Sequence, residues 1–428
     1  MANTEILKKN TDVLNKKTDV LKGDGTIEDP NARKRKAKLW KIPLLIILLI
    51  VLVAGGYVAY VFLTYSRIPD NQELSVGGTA MEQPAVNTEY TIVTYNIGFG
   101  AYTSDFTFFM DEGKESRAKS KDSVIQCVDG TSDKALEYNP DFVLFQEVDT
   151  DSTRSFHVDE SKQIITKFNA VDSYDNVFAQ NYHSAYLMYP ITKPHGASKS
   201  GLLTESRFDI ESSLRRSLPI ADGFKKILDL DRCYDISRIP VANGKELVLI
   251  NQHLSAYGTD AAQGNAQLEM LLADMKAEYD KGNYVICGGD FNHDFTTTSK
   301  EYFNPGTDKT YSWCNPFPDD IIPAGFKKCT EYAEGMVSTT RYTNIPYDPA
   351  KSFTVILDGF IVSDNVKCNY VQNIDTGYQY TDHNPVVMKF ELIDEAAAAS
   401  TEQENGEAQA TEEGTTDETH TSTDSKQE

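Results

Sequence analysis

From about residue 89 onward, short apolar runs alternate with longer amphipathic stretches. The runs of strand length cover 90–97, 142–145, 246–253, 284–287, 352–362 and 385–392, and the stretches of helical length cover 115–138, 158–170 and 261–280. The hairpin-like neighbours 184–189 and 200–206 are inconsistent with a purely parallel sheet. The pattern therefore predicts an α/β fold of two packed mixed sheets with helices outside.

One much longer apolar run lies near the N-terminus. Residues 42–63 carry no charge, and about 20 apolar residues in a helix cross the hydrocarbon layer of a membrane. A cleaved signal peptide would have a shorter apolar core, of about 7 to 15 residues. We therefore predict one transmembrane helix preceding the folded domain.

Charge predicts the orientation of this helix. The flank at 33–41 is strongly basic, whereas acidic residues dominate just after the span. The positive-inside rule then keeps the N-terminus in the cytoplasm and the rest of the chain outside. We expect a cytoplasmic segment at 1–41, the span at 42–63, a stalk at 64–88, a catalytic domain at 89–393 and a disordered acidic tail at 394–428.

The folded part of the chain is acidic even without its tail. Residues 90–392 contain 28 Lys and Arg against 43 Asp and Glu, and the whole chain has a net charge of −23. A large nucleic-acid footprint usually requires the opposite sign. Charge therefore disfavours nucleic acid as a partner, although metal ions and a local basic groove can override it.

The six cysteines are scattered and form no close CxxC pair of the kind that a structural zinc site needs. Cys314 and Cys329 are close enough in sequence to bridge within one loop, which spacing alone does not establish. They lie in 294–351, a long irregular stretch that is more typical of a binding loop than of strands.

Several polar residues follow or interrupt the apolar runs. Asp290 and Asn292 are two apart, so in an extended segment their side chains project to the same side. A turn held by Asx hydrogen bonds explains the same tetrapeptide. Glu147 and Asn96 end two other runs, where oxygen ligands could hold Mg²⁺ or Mn²⁺, although exposed acids are common at strand ends.

Two of the seven histidines also lie at strand ends. His253 and His383 are residues that can move a proton to or from a phosphate oxygen or water, although lone histidines are mostly structural. Asp358 interrupts an apolar run, and a carboxylate there needs a partner to offset its desolvation. A histidine is a natural partner for it.

Seven motifs occur in a fixed order: TYNI, FQEV, SGLLTESRF, NQHLSAYG, GGDFNHD, ILDGFIVS and TDHNPV. In this order the chain resembles the endonuclease/exonuclease/phosphatase superfamily over residues 88–392. The resemblance implies a four-layered α/β sandwich and Mg²⁺-dependent hydrolysis of a phosphoester. In this reading the metal site comprises Glu147, Asn96 and Asp382, and the catalytic residues are His253, Asp290, Asn292, Asp358 and His383.

The resemblance also implies individual roles. Asp290 orients or deprotonates the nucleophile, and Asn292 hydrogen-bonds the phosphate. His383 lies next to the scissile phosphate and is held by Asp358, while His253 stabilises the transition state or protonates the leaving oxygen. Whether His383 or Asp290 takes the proton of water stays open.

The chain also departs from known branches. Nuclease relatives pair the equivalent of His253 with an upstream glutamate, and 182–189 offers no acid. The signatures of inositol-polyphosphate 5-phosphatases are missing as well. Arg341, Tyr257 and Lys199 are candidates for substrate contact, each with the alternative of an ordinary surface residue.

The leading hypothesis is a membrane-tethered, extracytoplasmic phosphodiesterase or phosphatase that acts on a lipid head group or a small phosphoester. A DNA or RNA nuclease is the first alternative. A non-catalytic surface-binding protein that uses the same fold is the second, because fold does not fix function.

Overall fold

Two seven-stranded sheets form the centre of the computed structural model, which describes residues 40–220, 231–256 and 261–394. The strands are β1 (Gln72–Leu74), β2 (Val76–Gly78), β3 (Glu89–Asn96), β4 (Phe142–Asp149), β5 (Asp175–Leu187), β6 (Gly196–Ser206), β7 (Ser212–Ser217), β8 (Cys233–Pro240), β9 (Glu246–His253), β10 (Tyr284–Asp290), β11 (Phe326–Lys328), β12 (Thr340–Arg341), β13 (Thr354–Val355), β14 (Asp358–Ser363), β15 (Val366–Asn373) and β16 (Val386–Leu392). The helices are α1 (Lys41–Leu63), α2 (Lys121–Leu136), α3 (Glu160–Phe168), α4 (Ala261–Tyr279) and α5 (Ser299–Phe303).

Both sheets are mixed. Sheet one has the order β1-β7-β8-β9-β10-β14-β11, and sheet two has the order β15-β16-β3-β4-β6-β5-β2. Each contains one parallel pair, β9 with β10 and β3 with β4, and the other pairs between these strands are antiparallel. A helix makes the crossover in each parallel pair, α4 in sheet one and α2 in sheet two, as parallel strands require.

Three apolar layers hold the sheets and helices together. One core lies between the sheets and contains Ile92 of β3 and Leu249 of β9. The next residue of β3, Val93, points to the opposite face and packs with Phe168 of α3 in the second core. The third core joins sheet one to Leu268 and its neighbours on α4. Because each central strand buries both faces, its sequence is apolar throughout rather than alternating, and the predicted four-layered sandwich is confirmed.

The segment expected to be a stalk is partly built into the sheets. β1 pairs with β7, β2 pairs with β5, and Leu74 packs against the core between the sheets. The backbone amide of Ala80 donates to Asp175 Oδ1 at 2.9 Å. Strands of three residues are too short to show a hydrophobic period, which is why the sequence pattern missed them.

The apolar run at 352–362 is broken rather than continuous. It gives β13 and β14, separated by Ile356 and Leu357. The hydroxyl oxygen of Thr339 accepts hydrogen bonds from the amides of Leu357 and Asp358 at 2.9 and 3.1 Å. At Leu357 and Asp358 a side-chain oxygen therefore takes the place of a neighbouring strand as the hydrogen-bond acceptor.

The helix α1 forms a unit separate from the domain that begins at Thr64. It has 23 residues with a mean hydropathy of 2.8 over its most apolar window, so it is long and apolar enough to cross a membrane. The predicted basic segment before residue 40 and the acidic tail after residue 394 lie outside the described residues.

The hypothesis of a Cys314–Cys329 bond is wrong in this structure. Cys314 packs with Trp313 and Tyr342, whereas Cys329 belongs to the core between the sheets, where Cys368 packs against it. All six cysteines are free thiols.

Candidate active site

Strand ends from both sheets meet in one cleft. β9 and β10 are parallel, and their register aligns Asp290 with His253. β14 runs antiparallel to β10, so the first residue of β14, Asp358, also lies opposite Asp290. Sheet two contributes Asn96 and Glu147 near the ends of its own parallel strands β3 and β4. Residues distant in sequence are therefore adjacent because of strand direction.

The segment that leads into the start of β16 completes this group of residues. Val386 pairs with Thr94, so the residues just before β16 lie beside the end of β3. There Thr381 donates its hydroxyl to the carbonyl oxygen of Asn96 at 3.0 Å. We refer to Asn96, Glu147, Asp290, Asp358, Asp382 and His383 as the carboxylate floor of the cleft.

His383 is held on one side by a buried carboxylate. Its Nδ1 lies 2.9 Å from Asp358 Oδ2 and 3.1 Å from Thr340 Oγ1, which itself donates to Asp358 at 3.2 Å. On the other side, His383 Nε2 is 3.7 Å from Asp290 Oδ2. Burial lowers the pKa of His383, but Asp358 and Asp290 more than offset this and raise it to about 10. The ring is therefore a charged donor between two carboxylates.

Asp290 accepts hydrogen bonds with both carboxylate oxygens. Oδ1 accepts from the amide of Asn292 at 2.9 Å, and Oδ2 accepts from Asn96 Nδ2 at 3.1 Å. Burial and the nearby Asp358 raise the pKa of Asp290 to about 7, partly opposed by His383. A carboxyl that titrates near neutral pH can serve as a general base.

The backbone takes a strained form at two positions that line the cleft. Glu147 has φ 56° and lies within a bulge between Phe145 and Val148 in the β4–β6 ladder. Asn292 has φ 46° and donates its Nδ2 to the carbonyl oxygen of Leu254 at 2.8 Å. Asn tolerates the left-handed region better than Glu does, and such strain is concentrated at functional sites.

One position beside the floor has no room for a side chain and is occupied by a glycine. Gly98 has φ 54°, and a Cβ there would lie 3.0 Å from Asp382 Oδ1 and 2.7 Å from the Tyr102 ring. Its amide donates to Asn96 Oδ1 at 3.0 Å. A side chain at this position would push the floor apart.

The oxygen atoms of the floor are suitable ligands for a hard divalent cation. Its members supply carboxylate and amide oxygens, the ligands that Mg²⁺ and Mn²⁺ prefer. Burial and the carboxylate of Glu147 help raise the pKa of Asp382 to about 6, so negative charge is in excess here. Asp290, Asp358 and His383 also place ligand atoms within 4.8 Å of one another. Because His383 Nδ1 is engaged with Asp358, the oxygens of Glu147, Asn96 and Asp382 are the ones that could hold an ion.

His253 differs from His383 in its support. Its Nε2 is 3.5 Å from Asp290 Oδ2, but its Nδ1 is buried and has no hydrogen-bond partner among the described residues. Burial and the charge of Arg232 lower the pKa of His253 well below its ordinary value. The missing acid noted in the sequence is therefore missing in the structure as well, at least within its described part.

A second group of cleft-lining residues comes largely from the β5–β6 hairpin. The cleft-lining residues there are Asn181, Tyr182, His195 and Ser200, joined by Arg154 and Arg232. We call these six residues the hairpin wall. Asn181 Nδ2 and Ser200 Oγ are buried and have no hydrogen-bond partner within the described part of the chain. Both are therefore donors directed at whatever occupies the cleft.

Arg154 is fixed in place within this wall. Its guanidinium makes two hydrogen bonds to Asp149, at 3.0 and 2.8 Å, and lies 3.8 Å from the centre of the Phe99 ring. A paired and stacked arginine of this kind is held in one position.

Aromatic side chains close the remaining edges of the cleft. Trp313 from the long loop stacks on Tyr311 with ring centres 5.4 Å apart, and Tyr102 and Phe108 line the other edge. The irregular stretch 294–351 thus does contribute to the cleft, through Trp313, Thr340 and Arg341.

The predicted site residues are placed as follows. The cleft is lined by Glu147, His253, Asp290, Asn292, Asp382, His383 and Arg341, while Asn96 and Asp358 hydrogen-bond to these residues from beneath. Arg341 is buried, and its Nη2 donates to the carbonyl oxygens of Thr103 and Phe106 at 3.0 and 3.2 Å.

Of the other two predicted substrate contacts, Lys199 lies outside the cleft and Tyr257 is not described. Lys199 is exposed and pairs with Asp151 at 3.6 Å, outside the residues that line the cleft. Tyr257 lies outside the described residues. Sequence reasoning missed Thr340 and the hairpin wall, although Ser200 begins one of the seven ordered motifs and Thr340 directly precedes Arg341.

Comparison with known proteins gives a family. Residues 93–366 match the Endonuclease/Exonuclease/phosphatase family. No curated protein matches the chain. Among solved structures, an endonuclease/exonuclease/phosphatase from Beutenbergia cavernae is 16% identical with a TM-score of 0.45, covering 71% of this chain and 72% of that one.

Two further structures give similar values. An endonuclease/exonuclease/phosphatase from Bacteroides vulgatus is 15% identical with a TM-score of 0.45, over 72% of this chain and all of that one. The 2',3'-cyclic phosphatase ANGEL2, in complex with adenosine-2',3'-vanadate, is 14% identical with a TM-score of 0.47, over 74% of this chain and 99% of that one.

Proposed function

The chain belongs to the endonuclease/exonuclease/phosphatase family, and from this membership we propose that it is a metal-dependent phosphoester hydrolase held at the outer surface of a membrane. Its substrate is a phosphodiester or a phosphomonoester. The observation that carries the proposal is the linked set Asp358, His383 and Asp290 at the bottom of one cleft, with contacts of 2.9 and 3.7 Å.

The geometry supports separate roles for the two sides of His383. Nδ1 faces Asp358 and Thr340, so the ring orientation is fixed. Nε2 then presents its proton to the cleft, where a phosphoryl oxygen can accept it. A ring that donates at both nitrogens cannot also take a proton from water, so Asp290, which only accepts, is the proposed base.

Other residues orient the substrate. Asn292 is held in its left-handed conformation at the rim of the cleft, and its Nδ2 is bonded to the Leu254 carbonyl oxygen. His253 Nε2 points into the same space beside Asp290 and is suited to the leaving oxygen. Asn181 and Ser200 supply further donors from the hairpin wall.

A divalent ion bound by Glu147, Asn96 and Asp382 would polarise a phosphoryl oxygen and neutralise charge in the transition state. The three residues supply oxygen ligands and surplus negative charge. We propose Mg²⁺, with Mn²⁺ as a substitute, because both prefer such ligands.

The proposed location rests on α1 and its flanks. The helix is long and apolar enough to span a bilayer, and the basic flank before it favours a cytoplasmic N-terminus. The domain after Thr64 then lies outside the cytoplasm. The net charge of the domain favours a small or lipid-like phosphoester over a long nucleic acid.

The test uses the full chain in detergent. We expect hydrolysis of bis-p-nitrophenyl phosphate that requires Mg²⁺, stops on chelation and returns when Mg²⁺ or Mn²⁺ is added back. Glu147→Gln should lower the rate by about a hundredfold or more, because it removes a charged ligand, while Lys199→Gln, whose side chain lies outside the cleft, should not. Wild-type rates without metal or in Glu147→Gln would disprove the proposal.

Substrate class is tested in parallel. Rates on sphingomyelin and phosphatidylinositol vesicles are compared with nicking of supercoiled plasmid by the same preparation. Rapid nicking at low protein concentration, with no lipid turnover, would identify the protein as a nuclease instead.

A further inference from the structure

The β5–β6 hairpin ends in an exposed apolar tip. The last register pair of the hairpin joins Leu187 to Gly196, so 188–195 form the connection. On it and beside it, the large exposed side chains are Tyr186, Met188, Tyr189 and Ile191, which are 39%, 53%, 69% and 84% exposed. We call these four residues the apolar tip. Clustered exposed apolar side chains on a soluble surface mark an interaction site.

The chain enters the domain beside this hairpin. α1 ends at Leu63, and only two residues later the ring of Tyr65 stacks on the ring of His183 in β5, with centres 6.3 Å apart. Each residue of extended chain spans at most about 3.6 Å. A tether that ends at Leu63 therefore holds this part of the domain surface, from which β5 continues to the apolar tip, close to the bilayer.

The hairpin also differs from the rest of the domain in charge. Residues 176–204 contain no Asp or Glu but include Lys193 and Lys199, although the whole chain has a net charge of −23. An acid-free segment with lysines and tyrosines near its end is compatible with a phospholipid head-group layer. Arg117 adds a further cation, with its Nη2 donating to Tyr186 Oη at 3.3 Å.

The apolar surface continues from the tip to the mouth of the cleft. The Tyr189 ring lies 5.7 Å from the Phe109 ring, and the next residue, Met110, is partly exposed and lines the cleft. His195, at the base of the tip, belongs to the hairpin wall. A surface that engaged the tip would therefore lie next to the cleft opening.

We propose that the apolar tip is a second membrane contact, which inserts into the interface of the bilayer that anchors α1. This inference rests on the membrane tether in the proposed function. The tip would position the cleft opening at the head-group level, so phosphoesters of lipids in that bilayer reach the floor without leaving the membrane.

The test is fluorescence quenching in the full chain, reconstituted in phosphatidylcholine vesicles with brominated acyl chains. The two native tryptophans are Trp40 and Trp313. Quenching that falls when Trp40 is replaced, in Trp40→Phe, reports insertion of α1. In that background Ile191→Trp places a reporter in the tip, and Met188→Trp repeats the measurement at a second position.

The matched control is Val171→Trp. Val171 is 61% exposed and lies before the start of β5. The 13 residues of β5 separate it from the tip by about 40 Å of strand. Trp313 contributes equally to all of these variants, and hydrolysis of bis-p-nitrophenyl phosphate checks that each is folded, since none changes a cleft residue.

We expect quenching of the added tryptophan to be about twofold or more in Ile191→Trp and Met188→Trp, since an interfacial side chain reaches roughly 5 to 10 Å into the acyl boundary, and absent in Val171→Trp. Equal quenching at the three positions, with α1 inserted, would overturn the tip contact and leave the tether intact. If Trp40→Phe does not change quenching, the tether itself fails and the tip inference fails with it. If the unmodified protein does not hydrolyse bis-p-nitrophenyl phosphate, that result counts against the proposed chemistry and not against the tip contact.

Discussion

The carboxylate floor and the hairpin wall belong to one cleft but are built differently. Floor residues lie at or beside strand ends and bond to one another, as in the contacts from His383 to Asp358 and from Asn96 to Asp290. In the wall, Asn181 and Ser200 keep donors without partners among the described residues. A floor that is already organised suits bond-breaking chemistry, and unpaired donors suit substrate recognition.

The largest effect is expected from the centre of the floor. Asp290→Asn keeps the shape but removes the proposed base, so kcat should fall by about 10³ to 10⁴ while KM stays within about threefold. Steady-state kinetics on bis-p-nitrophenyl phosphate in saturating Mg²⁺ measures this. A change in KM alone would mean that the floor binds substrate and the comparison with the wall is wrong.

The next effect concerns Asp358, a positioning residue that acts through His383. Asp358→Asn should lower kcat by about a hundredfold. Because Asp358 raises the pKa of His383, its removal lowers that pKa, so the activity that needs the charged ring is lost at a lower pH than in the wild type. A pH profile of kcat checks this, and an unshifted profile would contradict it. Thr340→Val, which leaves the carboxylate, should shift the profile less.

A smaller effect is expected in the hairpin wall. Asn181→Ala removes an unpaired donor that lines the cleft, so KM should rise by about tenfold with kcat nearly unchanged. Lys199→Ala, on the same hairpin but outside the cleft, is the control. If Asn181→Ala lowers kcat instead, the wall takes part in the chemistry and the division between the two sides disappears.

The smallest effect concerns stability rather than rate. Glu205 lies on β6, buried, and neither carboxylate oxygen has a partner within the described residues. Burial, with a contribution from Asp175, raises its pKa well above the ordinary 4.5. The folded state therefore keeps a proton that the unfolded chain releases above pH 4.5, and Glu205 costs stability increasingly as pH rises from there.

Replacing that carboxyl removes the cost. Glu205→Met should raise the free energy of unfolding at pH 7 by about 1 to 3 kcal/mol, with a smaller gain at pH 4 and with unchanged kinetics. Thermal unfolding of the full chain in detergent at several pH values measures the difference. A gain that does not depend on pH would show that Glu205 is not protonated in the folded state.

The floor was accessible from sequence because each of its residues adjoins an apolar run. Asp290 and Glu147 lie at the ends of β10 and β4, Asp358 interrupts an apolar run, and the ordered motifs added roles for Asp358 and His383. Strand runs buried on both faces are also the clearest sequence signal of a layered α/β fold.

The remaining features depend on contacts that sequence patterns do not contain. Asn181 reaches the cleft only because β5 pairs with β6 at the edge of sheet two, and Thr340 meets His383 through a loop without periodicity. The three-residue strands β1 and β2 are too short to show a hydrophobic period, so the sequence predicts a stalk where they lie. Long-range pairing is decided by tertiary packing rather than by local propensity.

The pairing of β3 with β16 has a consequence for the time at which activity arises. These are the first and last long strands of the domain, and their contact brings Asn96 next to the segment that holds His383. A chain still being synthesised lacks β16, so it has no complete floor however much of the rest has folded. Closing a contact across almost the whole domain is entropically slow, so hydrolytic capacity is expected only after synthesis ends, and a product truncated before β16 would be inert.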